Sequence, residues 1–129
     1  MNIFSVELKN QPGELAHFGE VLGQRGVNME LAGVTTGEHG TILFNASDEA
    51  AARTALEGAG IEFTERPALQ VKCLDQAGEA GRIGRALANA NVNIEGLLSV
   101  SICQGEVVFA VTVDKLEEAR TALGEQVVG

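Results

Sequence analysis

Two short stretches of similar sequence carry the side chains best suited to bind a small molecule. The stretch "NQPGEL" spans residues 10–15, and "DQAGEA" spans residues 75–80. Asn10 offers an amide that both donates and accepts hydrogen bonds, whereas Asp75 offers a carboxylate. A helix that starts at such a turn presents unpaired backbone N–H groups and its positive dipole end, which favour an anion. These groups together suit a ligand that carries a carboxylate and an ammonium.

The same turn also has a purely structural interpretation. Pro12 pre-sets the backbone of a first helical turn, Gly13 permits tight packing there, and Asn10 can satisfy a free helix amide. Both interpretations stay open at the level of the turn alone. A second asparagine, Asn28 in "GVNM", opens the next strand and is well separated from Asn10 within one unit. A ligand seated where two units meet could therefore contact the turn of one unit and this strand of the other.

The turn is repeated because the chain repeats a larger unit at a constant offset of 65 residues. Residues 10–31 align without gaps with residues 75–96, and eight of the 22 positions are identical, far more than chance gives. The identical pairs are Gln11/Gln76, Gly13/Gly78, Glu14/Glu79, Gly19/Gly84, Leu22/Leu87, Val27/Val92, Asn28/Asn93 and Glu30/Glu95. The chain therefore contains the same structural unit twice.

Each copy shows the hydrophobic pattern of strand, helix, two strands, helix and strand. Alternation in "IFSVEL" predicts a first strand, and Leu15, Phe18 and Leu22 form the apolar stripe of the first helix. Ala80, Ile83 and Leu87 form the equivalent stripe in the second copy. Second helices are expected from about Asp48 to Gly58 and from about Asp114 to Gly124, each with the aspartate as N-cap.

The last strand differs between the copies. A closing strand is predicted over 61–65 in the first copy, whereas the second copy reaches the C-terminus and can hold only a short one. The fold class is α+β, with two tandem ferredoxin-like βαββαβ units that have antiparallel sheets and helices on one face. The expected domains are residues 1–66 and residues 67–129, joined by a very short linker at Pro67.

Composition excludes several classes of function. The 129 residues include 18 acidic and 9 basic side chains, a net charge of −9 that disfavours direct nucleic-acid binding. No apolar run is long enough to span a membrane, and no signal peptide is present, so a cytoplasmic protein is expected. His17 and His39 are isolated, and Cys73 and Cys103 are expected to be reduced thiols. Neither a metal site, a cofactor site nor a catalytic acid–base constellation is predicted.

The turn, the helix and the "GVNM" or "NVNI" strand start together resemble the ACT domain, the amino-acid-sensing module of enzymes such as phosphoglycerate dehydrogenase and aspartate kinase. The first copy is similar to the phosphoglycerate dehydrogenase version, and the second resembles the aspartate kinase version. The resemblance covers essentially the whole chain and implies amino-acid binding at interfaces between ACT units. The implied contacts in the first copy are Asn10, Gln11, Pro12, Gly13, Glu14, Asn28 and Met29. Those in the second copy are Asp75, Gln76, Gly78, Glu79, Asn93 and Ile94.

The two copies depart differently from the family pattern. The second copy has Ala77 in place of the proline and Ala80 in place of Leu15. In the first copy, Leu8 stands where some serine-binding members have a polar residue. The two predicted sites are therefore not expected to be equivalent, and the sequence does not name the amino acid.

We therefore expect a non-catalytic sensor that binds an amino acid and regulates amino-acid metabolism, as a homodimer or a higher homo-oligomer. A partner enzyme or regulator is also expected. The alternative is a regulatory subunit or a transcriptional co-regulator whose exposed sheet edges contact another protein, with the ligand secondary or absent. RNA-recognition modules share this topology but stack bases on strand aromatics beside basic residues, and metal chaperones need a CxxC loop at the first turn. Neither pattern is present.

Overall fold

The computed structural model describes all residues from Met1 to Gly129. Its contacts divide the chain into two compact units, Asn2–Arg66 and Pro67–Gly129, the latter joined by Met1. Each unit combines an antiparallel sheet with two helices, and the α+β fold class expected from the sequence is confirmed. No helix of the structure is both long and apolar enough to cross a bilayer.

The first unit contains six elements in the order βαββαβ. They are β1 (Asn2–Lys9), α1 (Glu14–Gly23), β2 (Leu31–Thr36), β3 (His39–Phe44), α2 (Glu49–Gly58) and β4 (Thr64–Pro67). The sheet order is β2-β3-β1-β4, so β2 is an edge strand. The β1–β3 register pairs Phe4 with Phe44 and Lys9 with His39, and β2 pairs Thr36 with His39. The end of β1 therefore lies beside the β2–β3 hairpin turn.

Aromatic rings fill the centre of the first unit. Phe4 stacks on Phe44 at 5.1 Å between ring centroids, and Phe18 meets Phe44 edge-on at 5.2 Å. Leu22 and Leu56 close this core from α1 and α2, and both are fully buried. The sequence prediction that Leu15 and Ala80 belong to the core stripes is wrong, because both side chains are exposed at the first turns of their helices.

The second unit repeats the order with one strand shortened. Its elements are β5 (Leu69–Leu74), α3 (Glu79–Asn89), β6 (Ile94–Cys103), β7 (Glu106–Val113), α4 (Leu116–Leu123) and a 3₁₀ helix (Gly124–Gln126). The sheet has three strands in the order β5-β7-β6. The fourth strand is reduced to one bridge between Val71 and Val127 and to hydrogen bonds that link Gln70 with Val128 and Gly129. The expectation of a short last strand is confirmed.

The start of β4 differs from the sequence prediction. The last strand of the first unit was expected at 61–65, but β4 begins at Thr64. Its position follows from Glu65, whose carboxylate accepts hydrogen bonds from Arg53 at 2.7 Å and from the Asn2 side chain at 2.7 Å. The backbone N–H of Ile61 still bonds the Leu56 carbonyl of α2, so the residues just before β4 complete the helix end.

Asp48 caps α2 as predicted, since its carboxylate accepts a hydrogen bond from the Ala51 N–H at 3.0 Å. The equivalent prediction for Asp114 is wrong. The residue that precedes α4 is Lys115, and the Asp114 carboxylate instead accepts a hydrogen bond from the Asn93 N–H at 2.9 Å. This bond competes with the capping role because it directs the carboxylate towards the start of β6.

Candidate functional site

The two predicted turns have the same backbone geometry. Gly13 precedes α1 with φ 89° and ψ −12°, and Gly78 precedes α3 with φ 91° and ψ −10°. Both residues are in the left-handed region, which glycine adopts without the steric cost that a Cβ imposes. In the first turn the Gln11 N–H donates to the Lys9 carbonyl at 3.0 Å, and Gln76 repeats the bond in the second. The sequence identity of the turns therefore reflects one shared conformation.

The prediction that Asn10 caps the first helix is wrong. Its backbone N–H donates to the Glu38 carbonyl at 2.8 Å, and its side-chain Nδ2 donates to the Gly37 carbonyl at 2.9 Å. Asn10 thus ties the turn to the β2–β3 hairpin. The Glu14 N–H donates to the Gln11 carbonyl at 3.4 Å, and the Glu79 N–H donates to the Gln76 carbonyl at 3.3 Å. No side chain caps α1 or α3, so the amides that follow these two have no side-chain acceptor.

The first turn and the edge strand β2 enclose a cavity of about 440 Å³. Asn10, Gln11 and Glu14 line it from the turn. The remaining lining residues come from β1, from α1 and from the two strands of the hairpin. They are Leu8, Lys9, Leu15, Leu31, Gly33, Val34, Thr35, Gly40 and Ile42. Pro12 and Gly13 shape the turn and do not line the cavity.

Opposite charges and apolar side chains meet in this cavity. Lys9 supplies an ammonium and Glu14 a carboxylate, and the Glu14 carboxylate has no hydrogen bond or ion pair within the protein. The exposed side chains of Leu15, Leu31 and Val34 add an apolar wall. Sequence reasoning missed Lys9 and the β2 residues, because their proximity to the turn depends on the register of β1, β3 and β2. This combination can hold a small zwitterion that has an apolar or mixed side chain.

Asn28 and Met29 lie outside this cavity. The Asn28 N–H donates to Ser47 Oγ at 2.9 Å, and its carbonyl accepts from the Ser47 N–H at 2.8 Å. Asn28 therefore precedes β2 at the end of the sheet opposite the hairpin, about 20 Å away for six strand residues. The Asn28 side chain is exposed, whereas Met29 packs partly against the core. Within one unit, the turn and this strand start do not meet.

The start of β6 repeats this arrangement. The Asn93 N–H donates to Asp114 Oδ1 at 2.9 Å, and the Asn93 carbonyl accepts from the Asp114 N–H at 3.2 Å. The Asn93 side chain is exposed, and Ile94 packs partly against the second core. Both units therefore fix the backbone of the strand-start asparagine and leave its amide side chain facing solvent.

The second turn differs from the first in its electrostatics. Glu79 Oε2 accepts a hydrogen bond from Arg82 Nη2 at 2.7 Å, which lowers the pKa of Glu79. Arg82 Nη1 also donates to Gln126 Oε1 at 3.0 Å. The equivalent residues in the first unit are Glu14 and His17, which form no such pair. The carboxylate that is available in the first turn is thus neutralised by an internal partner in the second.

The remaining polar candidates have structural partners or stand alone. Glu30 at the start of β2 receives a hydrogen bond from the buried Asn45 side chain at 3.2 Å, and its backbone N–H donates to Asn45 Oδ1 at 2.9 Å. Cys73 is buried and Cys103 is exposed, and neither forms a disulfide. Burial raises the pKa of the Cys73 thiol. No group of three or more His, Cys, Asp or Glu side chains is arranged to hold a metal ion.

Comparison with known proteins identifies the fold of both units. Residues 68–125 match the family model of the ACT domain. A protein from Bacteroides thetaiotaomicron has a TM-score of 0.83 at 20% identity, over 96% of this chain and 86% of its own. The ligand-free regulatory subunit of aspartate kinase from Thermus thermophilus has a TM-score of 0.67 at 20% identity, over 95% of this chain and 86% of its own. The regulatory subunit of aspartate kinase from Thermus flavus has a TM-score of 0.66 at 21% identity, over 97% of this chain and 90% of its own.

These identities are low, so the structural matches show a common fold. No curated protein has a significantly similar sequence.

Proposed function

We propose that this protein, whose residues 68–125 match the family model of the ACT domain, is a non-catalytic sensor of an amino acid. The family and the fold support a regulatory, ligand-binding role. We propose two ACT domains, residues 1–66 and residues 67–129, with amino acids bound at interfaces between ACT units. The protein then regulates amino-acid metabolism through the occupancy of these sites.

The cavity between the first turn and β2 carries this proposal. A free amino acid needs one partner for its carboxylate and one for its ammonium, each formed by a charge-assisted hydrogen bond. Lys9 and the uncapped amides at the start of α1 suit the carboxylate. The unpaired carboxylate of Glu14 suits the ammonium. An apolar ligand side chain would contact Leu31 and Val34.

A second ACT unit completes the site in this proposal. The cavity opens at β2, an edge strand whose six residues are all exposed. An antiparallel strand added to this edge would place the start of its own β2 or β6 beside the first turn. Asn28 or Asn93 of the added unit would then contribute its free amide, with Met29 or Ile94 beside it. This arrangement requires an assembly of ACT units, as a homodimer or a higher homo-oligomer.

The second site is proposed to be weaker than the first, or to have a different specificity. Asp75, Gln76, Gly78 and Glu79 form an equivalent turn, but Glu79 is already paired with Arg82. A ligand ammonium must displace this guanidinium before it can contact the Glu79 carboxylate.

Titration with each of the twenty amino acids, by calorimetry and by thermal shift, tests the proposal. We expect saturable binding of at least one amino acid, weakened about 10- to 100-fold by Glu14→Gln, because a hydrogen bond to a charged group contributes about 1.5–3 kcal/mol. Glu20→Gln, on the exposed face of the same helix, is the matched control and should bind as the parent does. Asn28→Ala and Asn93→Ala should weaken binding without unfolding the protein.

No response to any amino acid at millimolar concentration would refute the sensor. If the parent, Glu14→Gln and both asparagine variants bound the amino acid with equal affinity, the binding site would lie elsewhere in the protein.

A specific observation favours the alternative, a regulatory subunit that acts through protein contacts. Two of the structural neighbours are regulatory subunits of aspartate kinase, and both sheets of this chain end in exposed edge strands. An enzyme or another regulator would then be the partner. Co-purification of such a partner in the absence of any amino acid, together with a flat calorimetric titration, would favour this alternative.

A further inference from the structure

A second and larger cavity, which we call the β1-edge groove, lies on the other side of Glu14 in the first unit. Its volume is about 960 Å³, and it separates the second half of β1 from the segment 60–64 that leads into β4. Glu7 and Lys9 line it from β1, Glu57 from α2, and Glu62 and Phe63 from the segment. The groove shares Leu8, Lys9 and Glu14 with the amino-acid cavity, and its other lining residues have no role in the proposed amino-acid binding.

The groove exists because β4 covers only part of β1. The strand β1 has eight residues, whereas β4 has four. Glu65 of β4 is held by the side chain of Asn2, so β4 lies beside the start of β1. The segment 61–63 adopts no strand conformation. The edge of β1 from Val6 to Lys9 therefore has no neighbouring strand, and its outward N–H and C=O groups can pair with another chain.

Charge selects the kind of chain that fits. Four carboxylates line the groove, from Glu7, Glu14, Glu57 and Glu62, against the single ammonium of Lys9. A second copy of this protein, with its net charge of −9, is a poor occupant of this acidic groove, in contrast to the edge of β2 where the assembly is proposed. An extended segment rich in Lys or Arg has the complementary charge, and its backbone can supply the missing strand.

In the second unit, side chains fill the space that is equivalent to the β1-edge groove. His17 lines the β1-edge groove, and Arg82 occupies the corresponding place 65 residues later. Arg82 bonds both Glu79 and Gln126 of the 3₁₀ helix, so side chains bridge the space beside β5. The open groove is thus a property of the first unit.

We propose that the β1-edge groove binds a basic, extended segment of a partner protein, which adds as a strand to the free edge of β1. The main-chain bonds of β1 give the affinity, and Glu7, Glu57 and Glu62 select Lys or Arg side chains. This inference does not depend on amino-acid binding, and its tests use Glu57 and Glu62, which do not line the amino-acid cavity.

The experiment uses the full chain and a labelled peptide of four Lys-Thr repeats, measured by fluorescence anisotropy and by amide chemical shifts. We expect saturable binding with shifts concentrated in residues 6–9 and 60–64. The double variant Glu57→Lys, Glu62→Lys should bind about ten-fold or more weakly. The control variant Glu20→Lys, Glu38→Lys changes the net charge equally at exposed positions outside the groove and should lose much less affinity. A peptide with alternate N-methylated residues, equal in charge but unable to donate those bonds, should also bind about ten-fold or more weakly.

Equal weakening by the two double variants would mean that the acidic surface as a whole attracts the peptide, and this overturns the proposal. Full binding of the N-methylated peptide, shifts outside the groove, or no binding would also overturn it. Concentration-dependent self-association with shifts at residues 6–9 would assign the edge to a second copy and likewise contradict a basic partner.

Discussion

Replacement of Gly13 by alanine tests whether the left-handed turn determines the stability of the first unit. A Cβ at Gly13 meets no atom within 4 Å, so backbone strain at φ +89° is the main cost. A non-glycine residue in this region costs about 1–2 kcal/mol. Alanine also restricts the unfolded chain, which offsets about 0.4–1 kcal/mol. The free energy of unfolding should therefore fall by about 1 kcal/mol, which lowers the Tm of a unit of this size by about 4–8 °C.

Gly19→Ala is the matched control because it has the opposite expected sign. Gly19 lies inside α1, and a Cβ there also meets nothing within 4 Å. Alanine in a helix is about 0.5–1 kcal/mol more favourable than glycine. Gly78→Ala should reproduce the loss in the second unit, because its φ is +91° and its Cβ position is equally open.

Thermal and urea unfolding followed by far-ultraviolet circular dichroism measures these changes in a chain that has no Trp or Tyr. If Gly13→Ala and Gly19→Ala changed the Tm in the same direction, strain at the turn would not be the cause.

Three further perturbations test contacts within the first unit. The Arg53 hydrogen bond lowers the pKa of Glu65 below 4.5. The ionised carboxylate therefore stabilises the fold above that pH, and this contribution is lost as the pH falls through the lowered pKa. Glu65→Gln should flatten the pH dependence of urea unfolding below about pH 5. Asn45→Ala should cost about 1–3 kcal/mol in urea unfolding, because it leaves the Glu30 N–H without its acceptor. Phe44→Ala should cost about 3–5 kcal/mol by calorimetry, and clearly more than Phe109→Ala, since Phe44 is fully buried between two rings and Phe109 only partly buried.

Much of the fold could be predicted from the sequence because it depends on local patterns. Alternation places Phe4 and Val6 in the core, and helical spacing does the same for Phe18 and Leu22. The short last strand of the second unit was also predicted. Predictions failed where a distant partner decided the outcome. Asn10 bonds the hairpin carbonyls, and Asp114 bonds Asn93, although both side chains suit helix caps.

The candidate site was predicted only in part. Asn10, Gln11 and Glu14 line the cavity, as residues near a ligand should. Lys9, Val34 and Thr35 were missed, because their proximity to the turn depends on the β1–β3–β2 register, which a single sequence does not give. Amino-acid binding by these residues stays a prediction.

The sequence alone determined that one βαββαβ unit occurs twice and that each copy begins with the same turn, since repeated residues impose the same local conformation. It also determined the acidic charge that limits the choice of partners. The tertiary structure decided which groups stay free. Arg82 forms an ion pair with Glu79, whereas Glu14 has no partner. The Asn2 side chain holds Glu65 of β4 beside the start of β1, which leaves the end of β1 uncovered. Such differences depend on contacts between residues far apart in the chain, so two nearly identical turns acquire different chemistry.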